Sequence, residues 1–156
     1  QQLILLDFGA TRAYSARLVE SYRQLMCSAM RNDRPGMNDA AEAIGYFQQD
    51  IKEGQRQAVL DIFALACEPL GHIGAYDFGR SDLGVRIRDA GMVLGRDREF
   101  WHTPPADALF LHRKLGGLYL LAARLKARVN VNHLVGDLLS VEMQGSVMER
   151  PMLRSA

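Results

Sequence analysis

Asp7 is the residue of this chain with the clearest chemical use. It closes the apolar run Leu3-Ile4-Leu5-Leu6 and is followed at once by Phe8 and Gly9. The run reads as a short buried strand. A carboxylate at a strand end, held by a packed Phe and freed by a Gly, can reach a divalent cation that neutralises phosphate charge. From position alone an Asp closing a strand before Gly is more often a turn residue. The same triplet recurs at Asp77-Phe78-Gly79. No apolar run precedes it there, and three glycines, Gly71, Gly74 and Gly79, mark the stretch as loop, so a structural role is expected.

Other candidate groups are scattered. His72, His102, His112 and His133 share no spacing with Cys27 and Cys67 that would hold zinc. Both cysteines fall on apolar faces of expected helices and read as small buried thiols in a reducing compartment. Glu68 ends an apolar helix, where the dipole disfavours a carboxylate, so a cationic partner is expected, with Arg113 the candidate. Arg124, Lys126 and Arg128 lie near a helix C-terminus, which favours cations. They read as a solvated face, with a lipid-headgroup contact as the sharper alternative. Trp101 and Phe100 read as core or loop anchors.

The elements that would position these groups are mainly helical. Ser15 caps a helix to about Arg31 that turns Leu18, Val19, Tyr22, Leu25, Met26 and Ala29 to one side. Asn32 to Gly36 breaks it, and a short helix comes next, from about Asn38, its cap, to Ile44. Gln55 to about Glu68 is the third, with a stripe of Ala58, Val59, Ile62, Phe63, Ala66 and Cys67. Ser81 or Asp82 caps a helix reaching about Leu94.

Thr103-Pro104-Pro105 is the clearest helix start, with Thr as cap and Pro in the first turn. That helix is predicted to reach Arg128, roughly 35 Å. It is apolar all round from Leu115 to Ala123, which predicts the central element. Leu118 and Leu121 should be in the core, and Gly117 against a neighbouring backbone. A last helix is expected over about Asn132 to Ser140.

The chain has 156 residues, enough for one domain, and 48% of them are hydrophobic. With 19 basic against 18 acidic residues the net charge is +1, which gives no reason to expect nucleic acid as a partner. The longest apolar stretch is far shorter than the ~20 residues of a membrane span. The expected setting is cytoplasmic, with a peripheral membrane contact as a variant. A first residue of Gln predicts a piece of a longer polypeptide.

Three segments together resemble the UbiB family, the AarF-domain or ADCK-type atypical kinases. They are Leu5-Leu6-Asp7-Phe8-Gly9-Ala10-Thr11-Arg12; Glu68-Pro69 with Tyr76 to Leu83 after it; and the run from Leu111 to Val129 that carries His112-Arg113-Lys114-Leu115-Gly116-Gly117. The resemblance implies a mainly α fold: the helical C-terminal lobe of a kinase-like domain over residues 1–142, a short strand before Asp-Phe-Gly, and a tail over 143–156. It implies ATP and Mg²⁺ in the full-length protein. Asp7 would be the metal ligand, and Asp7, Phe8 and Gly9 the cofactor-binding triplet. It links the family to ubiquinone and isoprenoid-lipid metabolism, with isoprenoid lipid or a membrane surface as further partners.

The family's N-terminal extension, nucleotide loop, catalytic Asp and metal-binding Asn have no counterpart here. No catalytic residue is therefore expected in the chain, which should be inactive alone. A strand without its packing partners near Leu3 to Phe8 predicts a homodimer or a rearranged N-terminus. The competing expectation is a non-catalytic helical module for lipid or protein docking.

Overall fold

The computed structural model describes residues 11–47, 51–96 and 104–136. The described part is mostly helical, with one two-stranded antiparallel sheet, as a helical kinase-like C-lobe requires. The expected strand at Leu3–Leu6 and the tail from 143 lie outside the described residues.

Helix α1 spans Ala16–Met30, and Ser15 caps it as expected: its Oγ accepts from the Leu18 N–H at 3.2 Å. Helix α2 spans Arg34–Ile44 and starts earlier than predicted. Asp33, not Asn38, is the cap, accepting from the Gly36 N–H at 3.0 Å. Pro35 does not belong to a break but sits in the first turn of α2, where a missing N–H costs nothing. Asn38 lies inside α2 and accepts from Arg56 at 2.8 Å. Gly45 ends the helix in the left-handed region (φ 98°).

Helix α3 runs Glu53–Ala66, and Cys67 separates it from the single turn α4, Glu68–Gly71. The expected loop from Gly71 to Gly79 contains β1, Tyr76–Asp77, which pairs with β2, Arg128–Val129. Two-residue strands have no periodicity to read, and the partner is remote in sequence. Helix α5 spans Leu83–Arg96 and α6 spans Ala106–Arg124. Residues 131–136 are helical; the remainder of the expected last helix lies outside the described residues.

Two apolar clusters hold these elements. In the first, Tyr22 and Leu25 of α1 meet Met37, Ala40, Ala41 and Ile44 of α2, Val59, Leu60 and Phe63 of α3, Tyr46, and Ala108 of α6. The second is small: Tyr76, Phe78 and Leu83 are buried, with Leu65, Ile87, Tyr119, Ala122, Val129 and Val131 packed around them.

The central place predicted for the 104–128 helix is corrected by the structure. α6 starts at Ala106 and stops at Arg124. Leu118 is 59% exposed and Leu121 52%, and nothing among the described residues lies within 4 Å of the point where Gly117 would carry a Cβ. The helix buries one narrow stripe, through Ala108, Leu111, His112, Tyr119 and Ala122. These recur at three- and four-residue spacing; Leu121 points away from the stripe, Leu118 lies at its edge, and both are more than half exposed. An all-apolar sequence says that a helix could be surrounded, not that this polypeptide surrounds it.

Candidate functional site

Asp7, Phe8 and Gly9 lie outside the described residues, so the seat of the triplet is bounded by the chain immediately downstream. Arg12, the last residue of the first motif segment, is described, and it is anchored. Its Nε donates to Asp107 Oδ1 at 2.8 Å, Nη2 pairs with the same oxygen, and the guanidinium lies 4.6 Å from the Phe110 ring centroid. Asp107 occupies the first turn of α6, where a carboxylate suits the helix dipole. Arg12 thus ties the triplet's downstream chain to the start of α6.

One turn further along α6, His112 sits between two tyrosines. Tyr22 Oη is 3.0 Å from Nε2, and Tyr46 Oη is 3.0 Å from Nδ1. The His112 ring stacks on Tyr46 and meets Tyr22 and Phe63 edge-on. Burial lowers the His112 pKa and raises those of Tyr22 and Tyr46. The imidazole is therefore held neutral, one nitrogen donating and one accepting, and joins α1, α2 and α6. By sequence alone His112 falls among the scattered histidines. The signal it offered was its place on the buried stripe of α6, four residues past Ala108.

Glu68 does find a cation, but it is Arg86 and not the predicted Arg113. Oε2 is 2.7 Å from Arg86 Nη1, while Oε1 accepts from Arg86 Nη2 at 2.8 Å and from Tyr76 Oη at 2.6 Å. Asp82 Oδ1 takes the Arg86 Nε at 2.7 Å. The Arg86 hydrogen bond, helped by Tyr76, lowers the Glu68 pKa against the effect of burial. This network ties α4 to α5 beneath the second segment of the resemblance. Arg113 lies on α6, away from it in sequence and on a different helix.

The second triplet serves the same small region. Asp77 Oδ1 accepts from the N–H groups of Gly79 and Arg80 at 3.1 and 3.2 Å, and Phe78 fills the second cluster. A Cβ on Gly79 would stand 2.8 Å from Lys126 Cα. Glycine is required there by the close approach of two backbones. Cys27 and Cys67 are free and half-buried, and burial pushes the Cys67 thiol up to about 11.

Among the described residues, no three His, Cys, Asp or Glu side chains come together as a metal site, and no helix is long and apolar enough to cross a membrane.

No protein-family model matches the chain. Individual proteins do. Over 137 residues, 88% of the chain, it is 33% identical to the mitochondrial atypical kinase coq-8 of Caenorhabditis elegans. It is 30% identical over 136 residues to the mitochondrial atypical kinase COQ8B of Rattus norvegicus, and 30% identical over 146 residues to the mitochondrial atypical kinase COQ8 of Saccharomyces cerevisiae. The chain is homologous to the COQ8-type atypical kinases. The UbiB resemblance of the three motif segments is borne out, and the helical fold agrees with a UbiB-type kinase-like domain. The chain spans only 18%, 25% and 28% of the length of these three COQ8 relatives.

Proposed function

We propose that this chain is the C-lobe portion of a UbiB-type atypical kinase or ATPase linked to ubiquinone or isoprenoid-lipid metabolism. It contributes Asp7 to Mg-ATP binding and is inactive alone. The observation that carries the reading is the match to COQ8 kinases over nearly nine-tenths of a chain that has Asp7-Phe8-Gly9 near its first residue. The Arg12–Asp107 pair supports it, because it fastens the triplet's downstream chain to a helix start. Bound Mg-ATP supplies a phosphoryl group whose charge the metal neutralises. This chain's own part is one carboxylate and the anchor behind it. The relatives are named mitochondrial, so the proposed setting is that organelle rather than the cytoplasm expected from the sequence.

The alternative, a non-catalytic helical module for lipid or protein docking, draws on Leu118 and Leu121 of α6 and Leu125 just past its end, which stand exposed near Arg124. A chimera decides between them. The 156 residues replace the matching segment of the yeast relative, and ATP turnover is measured with Mg²⁺. The kinase reading expects turnover that Asp7→Asn abolishes, while the separate 156-residue chain shows none. Turnover indifferent to Asp7→Asn would overturn it in favour of the module.

A further inference from the structure

The polar groups inside the first cluster close a ring. Tyr22 Oη lies 3.0 Å from His112 Nε2, Tyr46 Oη lies 3.0 Å from Nδ1, and the two hydroxyls also bond each other. With the proton on Nδ1, each donor finds one acceptor: Tyr22 O–H to Nε2, Nδ1–H to Tyr46, and Tyr46 O–H to Tyr22. A second proton on the imidazole takes the acceptor from Tyr22 and leaves a cation in an apolar setting. Among the described residues, the side chains on the imidazole are Tyr22 of α1, Tyr46 just past α2 and Phe63 of α3, none of which is a carboxylate. Tyr14, ahead of α1, adds a phenol near Tyr22. On α6 itself Arg113 follows as a like charge, and Asp107 is taken by Arg12.

Arg12 and this ring grip the same stretch of α6 from two flanks. Asp107 and His112 stand about 140° apart around the helix, so Arg12 takes the outer flank and the tyrosines take the inner one. Both grips come from one segment, since Arg12 leads into α1 and Tyr22 lies within it. They are unequal in strength. The Arg12 and Asp107 side chains are 45% and 38% exposed, and exposed ion pairs contribute about 0–1 kcal/mol. Such a pair cannot decide where a helix lies. It forms only where buried packing already brings the carboxylate within reach.

We propose that the His112–Tyr22–Tyr46 ring is a proton-operated latch: closed, it seats the first turns of α6 so that Asp107 and Phe110 hold Arg12, and open, it lets Arg12 go. Burial holds the His112 pKa below 6.5, so the ring is closed at neutral pH and opens as pH falls through that lowered value. An imidazolium is better solvated outside the cluster, and α6 must tilt to let it reach water. Asp107 and Phe110 then move away from Arg12. Arg12 ends the motif segment that starts at Leu5, so where the Mg-ATP reading holds, the attachment of that segment responds to acid. The latch itself is read at Arg12 and His112 and does not depend on that reading.

An NMR titration of the 156-residue chain tests this. The midpoint of the His112 ring shifts and the loss of order at the Arg12 Nε–H group, read by relaxation, are expected to coincide below pH 6.5. His112→Gln carries no titrating group, so Arg12 should be equally ordered near neutrality and at about pH 5. Tyr22→Phe removes the donor that stabilises neutral Nε2. Both midpoints should then rise together by roughly 0.5–1 pH unit, the worth of one net hydrogen bond. An Arg12 transition that survives His112→Gln overturns the proposal. So does an Arg12 midpoint apart from that of the ring, or global unfolding in place of local release. Should His112→Gln not fold, Tyr22→Phe decides: movement of one midpoint without the other, or of neither, overturns the latch.

Discussion

The two apolar clusters are built from the same kinds of side chain but are closed to different degrees. In the first, three helices and the start of α6 enclose Leu60 at 1% exposure, and a neutral histidine with two tyrosines seals one side. In the second, three buried residues sit under a two-residue sheet, and one wall opens into a groove between α5 and α6. Every helix of the first cluster finds its partners within 156 residues. The second cluster offers more apolar surface than the described chain covers. Exposed apolar surface of that kind marks a face open to contact, whereas the first cluster presents none in its interior.

The largest effect should separate the clusters directly. Leu60→Ala is expected to cost about 2–5 kcal/mol, because a fully buried leucine loses its contacts and leaves a cavity. Leu118→Ala, at a side chain 59% exposed, should change stability by no more than ~0.5 kcal/mol. Chemical denaturation of the two variants measures both. A Leu118 penalty as large as that of Leu60 would mean that α6 is covered in solution and that the contrast is smaller than the structure shows.

The first cluster was legible in the sequence to a useful degree. Ser15 as cap, Tyr22 and Leu25 on one face of α1, and Val59 and Phe63 on α3 all come from helical spacing and capping chemistry. Leu60, the best-buried leucine of α3, was off the expected stripe because a helix packed by α2 and by α5 buries more than one row. Of the second cluster only the start of α5 was legible: Ser81 was a candidate cap, and its Oγ accepts from the N–H of the buried Leu83 at 3.1 Å. The cluster's sheet is two residues long, and Glu68 meets Arg86 only because the turn at Ser81 brings α5 back beneath α4. Of the candidate site, spacing and motif singled out Asp7, whereas the Arg12–Asp107 tie and the His112 junction join residues about 90 positions apart (|i−j| of 95 and 90) that no local pattern connects.

An intermediate effect probes the point where the second cluster is tight. Gly79→Ala places a methyl 2.8 Å from both Cα and Cβ of Lys126, neither of which a side-chain rotation can move away, so β1 or the α6–β2 turn must shift. Lys126 is itself held at φ 50° there. The expected cost is about 1–3 kcal/mol. Exchange of the Phe78 amide, which donates to Ala127 O at 3.0 Å, should rise while the first cluster's exchange is unchanged. Faster exchange across both clusters would show that they unfold as one unit.

The smallest effects come from acid, and they fall in different pH ranges for the two regions. Burial holds the His112 pKa below its ordinary 6.5, so the folded chain favours the neutral ring more than the unfolded chain does. That stability is complete above about 6.5 and is lost as pH falls below it, since the unfolded state then gains a proton the folded state resists. Glu68 has its pKa lowered by Arg86, from 4.5. Its contribution is complete above that value and is lost only as pH falls further. Acidification from neutral to about 5 should therefore lower the melting temperature through the first cluster alone, and His112→Gln should flatten that slope. Glu68→Gln should leave it unchanged and cost no more than ~1 kcal/mol near neutrality, because the Glu68 and Arg86 side chains are both about one-third exposed to screening water. A slope between pH 7 and 5 that survives His112→Gln would place the acid-sensitive group elsewhere and remove the imidazole from its role as the neutral tie between α1, α2 and α6.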